Sequence, residues 1–197
     1  MAQSLKARSL HQIRRTHARL ELRPLAPGDE GEFVRVFAES REAWAPWVPA
    51  SHRTMTDVER FRHELARSAR GLAAGTHLRL AGFTEQNELV GFFALNEVVR
   101  GVFESSYASW HVAAGRMGQG FGTEGARALV GIAFDSAPDG MGLHRVQANI
   151  MPSNAASLRV AEKVGFRKEG MALRYLRIAG VWQDHLMFAL TREEWQG

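Results

Sequence analysis

The stretch Arg116–Ala126, "RMGQGFGTEGA", is the feature that most constrains this chain. Gly118, Gly120 and Gly122 alternate with larger residues and run directly into "RALVGIAFD", where Ala126, Leu129, Val130, Ala133 and Phe134 recur at helical spacing. A strand candidate, "SYASWHVAA" (106–114), precedes it. A strand, a glycine turn and a helix in that order bring bare backbone amides to a helix N-terminus, where the helix dipole favours an anion. A dinucleotide fingerprint would require G-x-G-x-x-G, and the spacing here is G-x-G-x-G. A phosphate-binding P-loop would require Gly-Lys-Ser/Thr, and no Gly-Lys pair occurs. A tight turn without a ligand and a cradle for a pyrophosphate both remain. In the cradle reading Arg116 adds a charge at the rim.

The rest of the chain supplies a sheet with helices on it. "ARLELRPL" (18–25) alternates Leu20 and Leu22 against charges, as a half-buried strand does. Helices follow, one with Phe33, Val36 and Phe37 on one face, the next over 56–69 with Val58, Phe61, Leu65 and Ala69. "HLRLAGF" (77–83) and "LVGFFALNEVV" (89–99) read as a hairpin around Glu85–Glu88. After the glycine stretch and its helix come a strand, "HRVQANI" (144–150), and a helix over 153–165 ending at the cap glycine Gly165. Two last strands turn at Ala179-Gly180. The order β-α-α-β-β-β-α-β-α-β-β gives an α/β (α+β) chain with one mixed, mostly antiparallel sheet of about seven strands and about four helices.

Composition narrows the chemistry. With 197 residues the chain suits one domain, and 45% apolar residues can fill its core. The absence of cysteine rules out disulfides, thiolate catalysis and thiolate zinc sites. No apolar run approaches the ~20 residues that cross a bilayer. Residues 1–17 are expected to form a basic N-terminal extension ahead of a single domain at 18–197: Lys6, Arg8, Arg14 and Arg15 precede the first acid, Glu21. Such an arm is a solvated extension, a transit peptide or a contact for RNA. The net charge of +4 permits an anionic partner without requiring one.

A second motif lies about 30 residues downstream, in "ANIMPSNAASLRVAEKVGFRKEG". Taken alone, Asn154 is a helix cap and Ser157 a helix-surface hydroxyl. Together with the glycine stretch they resemble the GNAT family of N-acetyltransferases, whose signature is Arg/Gln-x-x-Gly-x-Gly/Ala. Gly120 and Gly122 occupy its two small positions, and Met117 departs from its first. "TEGA", Asn154–Ser157 and "VGFRKEG" resemble the RimJ/RimL branch, which acetylates N-termini of ribosomal proteins. "VVRG" and "W-x-D-H" are the more specific RimJ-like pieces, and the likeness runs along nearly the whole chain.

The resemblance implies a GNAT fold, acetyl-CoA as co-substrate, no metal and a cytoplasmic enzyme, monomer or homodimer, acting on a protein N-terminus. Strand 108–114, with Val112, would bind the pantetheine arm. The amides of Met117, Gly118, Gln119, Gly120, Phe121, Gly122 and Thr123 would hold the pyrophosphate. Asn154 would bind the pantetheine amide, Ser157 would lie near the thioester sulfur, and the peptide would enter over Trp44 and Trp47. Two departures matter: relatives carry a tyrosine acid where Ala161 stands and a glutamate base where Asn149 stands. Glu104, His111 and Glu97 are the ionisable candidates near the acceptor, each also readable as a surface or strand-edge group. Glu104 is the expected relay for the proton, through water, and His111 an acceptor contact. Trp44 and Trp47 are equally readable as core anchors. Acetylation of a small amine or antibiotic, and a non-catalytic RNA- or ribosome-binding module, are the alternatives to protein N-terminal acetylation.

Overall fold

The computed structural model describes residues 14–49 and 55–197. Eight strands form one sheet, ordered β1-β2-β3-β4-β5-β6-β8-β7. They are β1 (Arg15–His17), β2 (Leu20–Arg23), β3 (Leu78–Phe83), β4 (Leu89–Val99), β5 (Ser105–Val112), β6 (Arg145–Ile150), β7 (Arg167–Ile178) and β8 (Val181–Thr191). Four α-helices accompany them: α1 (Glu30–Trp44), α2 (Asp57–Ala74), α3 (Phe121–Phe134) and α4 (Ala155–Val164). The eighth strand beyond the expected seven is β1. It pairs antiparallel with β2, so residues 15–17 belong to the sheet rather than to an extension. Residues 1–13 of the expected arm lie outside the described residues.

Local chemistry explains the element ends. Thr56 and Glu59 form a reciprocal cap at the start of α2, which continues past Ala69 because Gly71 and Leu72 still bury, and stops at left-handed Gly75. Gly165, at φ 102°, ends α4 as its sequence predicts. Ala179 and Gly180 both take positive φ, the geometry of the tightest hairpin turns, between β7 and β8.

Two apolar clusters lie on opposite faces of the sheet. The larger packs α3 and α4 against inward residues of β2–β6 and β8, with Phe93, Leu95, Leu129, Ile132 and Val146 fully buried. The smaller joins α1 and α2 to Ala81, Phe83, Leu89 and Ala113 through Phe33, Val36, Trp44 and Phe61. The expected apolar stripe of α3 is buried, and so are Ala128, Gly131 and Ile132. The β1–β2 end of the sheet also packs on α3, where Arg15 pairs with Asp135 just past the helix C-terminus and Arg19 with Glu124 near its N-terminus.

One irregularity dominates the layout. β5 and β6 are the sheet's parallel pair, and their pairing covers only Ser105–Tyr107 against Arg145–Gln147. Beyond Tyr107 β5 continues to Val112, still paired with β4, while β6 continues to Ile150, still paired with β8. The two strands therefore diverge toward their C-terminal ends and leave a V-shaped opening.

Candidate active site

The opening is edged by backbone. Ala113 N–H donates to the Val90 carbonyl at 2.9 Å, across to β4. Peptide groups alternate sides along a strand, so the N–H and C=O of Val112 turn the other way, toward the opening. The Val112 carbonyl accepts a hydrogen bond from Trp44 Nε1 at 2.8 Å. Buried Ser40 accepts from Ala114 N–H at 2.9 Å, which fixes the chain where it leaves β5.

From there the glycine stretch wraps to α3. Gly118 (φ 75°) and Gly120 (φ 92°) adopt left-handed backbone, and Gly120 is the residue capping α3. Left-handed residues alternating with ordinary ones can curl successive N–H groups into a concavity that suits an anion, but the Met117 N–H is not free for it, being given to Ala114 O at 3.3 Å. A Cβ on Gly122 would stand 3.2 Å from Val160 Cγ2 of α4 and 3.3 Å from Val112 Cγ2 of β5. Gly122 is thus the small residue that lets loop, α4 and β5 converge. Thr123 N–H is already given to Gly120 O at 3.0 Å, which leaves Thr123 its hydroxyl, not its amide, for an anion. Met117 is half exposed beside the loop, Phe121 is buried under it, and Gln119 braces it by donating from Nε2 to Gly115 O. The Arg116 guanidinium is paired with Glu88 at 2.5 Å, so its charge is already engaged within the fold.

On the far wall Asn154 caps α4, with Oδ1 accepting from Ser157 N–H at 3.1 Å. The cap reading is therefore realised, and the Asn154 Nδ2 donors are left over for a ligand. Ser157 is half-buried in the first turn of α4. Ala161 is fully buried in the core, so no side chain from that position reaches the opening.

Three residues expected near the acceptor are placed differently. Glu104 precedes β5, with its carbonyl accepting from His144 and Arg145 N–H groups. It lies at the opposite end of β5 from Val112, roughly 26 Å away at about 3.3 Å per residue. Glu104 is therefore not brought together with Ser157 or the glycine loop. Trp44 is core: its indole meets Phe37, Phe92 and His111 edge-on at 5.1–5.9 Å. Trp47 is half-buried in the turn after α1 and is the more open of the two tryptophans. His111 packs on Trp44, and burial, helped by nearby Arg79, pushes its pKa down to about 4. It carries no charge at neutral pH.

Sequence reasoning missed a polar cluster on the sheet face away from α3 and α4. Asn149 Nδ2 donates to the Tyr175 hydroxyl at 3.0 Å, and the Tyr175 ring meets His185 edge-on at 5.6 Å. Burial, then the neighbouring Tyr107 and Glu97, hold the Tyr175 phenol above its ordinary pKa, so it stays protonated. Gln147 Oε1 and Asn149 Oδ1 are buried there without a hydrogen-bond partner among the described residues. Period-two alternation on β5 and β6 places Tyr107, Gln147 and Asn149 on one face, but Tyr175 joins them through a register shift in β7 that no local pattern reveals.

A strand that runs into a left-handed glycine turn at a helix N-terminus, beside a gap between parallel strands, is a scaffold suited to holding a phosphate-bearing ligand. The family model described as "Acetyltransferase (GNAT) domain" matches residues 19–167, and the chain belongs to this family of N-acetyltransferases. It is 30% identical over 174 residues to "Probable N-acetyltransferase YjcK" of Bacillus subtilis (strain 168), covering 88% of this chain and 94% of that one. It is 28% identical to "[Ribosomal protein uS5]-alanine N-acetyltransferase" of Escherichia coli (strain K12), covering 93% of each. Among solved structures, "Mycobacterium smegmatis RimJ in complex with CoA-disulfide" superposes with a TM-score of 0.81 at 28% identity, over 92% of this chain and 86% of that one. Among the described residues no cluster of His, Asp and Glu has the makings of a metal site, and no helix is long and apolar enough to cross a membrane.

Proposed function

We propose that this enzyme moves acetyl from acetyl-CoA to the N-terminal α-amine of a protein, with a ribosomal protein as the first candidate, in the cytoplasm. The uS5-alanine relative supports the acceptor class, and the M. smegmatis structure with CoA disulfide supports the cofactor. The glycine loop fits the cofactor's pyrophosphate, since left-handed Gly118 and Gly120 curl their amides inward and Gly122 leaves no Cβ in the way. Acetyl-CoA supplies the activated thioester.

The observation that carries the acceptor assignment is the neutral pair at the end of β6: the Asn149 amide bonded to a protonated Tyr175 phenol. An amine must be neutral to attack a thioester. A protein α-amine, with pKa about 7.7–8.0, is roughly a fifth to a third neutral near pH 7.4, whereas a lysine at about 10.4 is near 0.1% neutral. The end of β6 itself carries an amide in place of a carboxylate, which suits the first and handicaps the second; Glu97 of β4 is the carboxylate close enough to act on Tyr175. The acceptor nitrogen then attacks the carbonyl carbon, the C–N bond forms, and the ammonium proton leaves to water. Val112 N–H stabilises the oxyanion. As the C–S bond breaks, the Ser157 hydroxyl hydrogen-bonds the departing thiolate. A thiolate with pKa near 8.5 needs modest help, so Ser157→Ala is expected to lower kcat by less than about 10²-fold. A loss of about 10⁴ with acetyl-CoA affinity intact would assign Ser157 a larger role.

The alternatives lose ground on specific contacts. Arg14 pairs with Glu21, Arg15 with Asp135 and Arg19 with Glu124, so part of the positive charge of 14–19 is balanced by acids of the fold. The deciding experiment measures thiol release from acetyl-CoA with peptides differing in their first residue, beside small amines, with products identified by mass spectrometry. Turnover of alanine- or serine-first peptides is expected; turnover of small amines alone refutes the reading. With a good peptide in hand, Trp47→Ala should raise peptide KM several-fold and leave acetyl-CoA Kd in place. The reverse pattern would remove Trp47 from the acceptor path.

A further inference from the structure

The glycine loop is held from outside the signature. Arg19 stands at the tip of the β1–β2 hairpin, in the two-residue turn after His17. Its Nη2 donates to the Gln119 carbonyl at 2.7 Å and to Glu124 Oε1 at 2.5 Å, and its Nε donates to the same carboxylate oxygen at 3.1 Å. Its backbone N–H reaches Glu124 Oε2 at 3.3 Å, and its guanidinium carbon lies 4.6 Å from the centre of the Phe121 ring. Five contacts, four from the side chain and one from the backbone, join Arg19 to residues 119–124.

The peptide plane gives these contacts a function. In a trans peptide the C=O of one residue and the N–H of the next point in opposite directions. Arg19 grips the Gln119 carbonyl, so the Gly120 N–H is directed to the opposite side of that plane. Left-handed Gly118 and Gly120 permit several orientations, since glycine resists none of them strongly. A fixed carbonyl removes that freedom before a ligand arrives. Arg19 also neutralises Glu124, whose Oε1 lies 3.6 Å from where a Gly120 Cβ would stand. Unneutralised, that carboxylate would repel a phosphate at the same helix end.

We infer that Arg19 is a positioning residue for coenzyme binding: it sets the Gly120 amide and cancels the Glu124 charge, a task performed from the N-terminal hairpin while Met117 occupies the signature's own polar position. This rests on reading the glycine loop as the pyrophosphate cradle. Calorimetric titration of the full chain with acetyl-CoA tests it. Arg19→Ala should raise Kd about tenfold, the scale of one charge-assisted hydrogen bond, and Arg19→Ala/Glu124→Gln should recover part of that loss. A structural role alone would weaken all thioesters equally, so kcat/KM is compared for acetyl-CoA and for S-acetyl-pantetheine, which lacks the pyrophosphate. The ratio of the two should fall about tenfold in Arg19→Ala. If that variant melts well below the wild type, Arg19→Lys, which keeps the cation but loses the planar fork, is read in its place, with a smaller fall of the same ratio. A Kd within twofold of wild type, or an unchanged ratio, overturns the inference and leaves the cradle standing. Wild-type protein that binds no acetyl-CoA overturns the cradle itself, and the inference with it.

Discussion

Trp44→Ala is expected to destabilise the fold by about 3–5 kcal/mol, the usual cost of emptying a large buried aromatic site. The indole is only 6% exposed, and Phe37, Phe92 and His111 would each lose a ring neighbour. Urea denaturation of the two proteins measures the difference. A second loss accompanies the packing loss, because Trp44 Nε1–H is the donor on Val112 O. Trp44→Phe keeps one six-membered ring but loses the N–H donor and part of the buried volume, so it should cost about 1–3 kcal/mol, less than Trp44→Ala. If Val112 also lines the cofactor arm, acetyl-CoA Kd will rise in Trp44→Phe by more than its stability loss explains at a temperature where both proteins are folded. A Trp44→Ala protein within 1 kcal/mol of wild type would show that the indole is not the anchor its contacts indicate.

The other large effect is expected at Gly125, one turn into α3. A Cβ there would lie 2.1–2.7 Å from ring atoms of Phe93, which is fully buried in the middle of β4. Neither partner can yield cheaply, since the ring is enclosed and the helix is pressed on the sheet. Overpacking of this kind costs about 1–3 kcal/mol, and Gly125→Ala should sit at the upper end. For a chain of this size that lowers Tm by about 5–10 °C in calorimetry. Adding Phe93→Leu should restore part of it, because the smaller side chain opens room for the methyl group. If Gly125→Ala raised Tm, as replacing a helical glycine does where space is free, the close packing of α3 on β4 would be disproved.

What the sequence made legible follows from the range of the forces involved. The alternation of Leu20 and Leu22, the helical spacing of Ala126 to Phe134, the cap glycine Gly165 and the Ala179-Gly180 turn are local signals, and each names its element correctly. Gly120 and Gly122 marked the loop because a missing side chain is visible in one letter. The failures were all long-range. Nothing near Glu104 says that its strand runs away from the opening. Nothing near Arg19 says that a hairpin tip will land on a helix 100 residues later. For Trp44 the core and recognition readings stayed even in the sequence, because its burial depends on Phe92 and His111 arriving from β4 and β5. Asn149, noted as a departure from relatives, gained its meaning only from Tyr175, which a register shift in β7 delivers.

The three-rung pairing of β5 with β6 has a mechanical consequence. The sheet is in effect two leaves, β1–β5 and β6–β8–β7, hinged along a spine three residues long. Beyond those three residues β5 and β6 are held together by the core under α3 and α4, not by a backbone ladder. Whatever occupies the gap inherits hydrogen bonds that a continuous sheet would have made for itself, and so behaves as a temporary ninth strand. Occupancy and cohesion are then one equilibrium: a ligand at a hundred times its Kd adds about 2.7 kcal/mol to the folded state, and amide exchange along 108–112 slows with it.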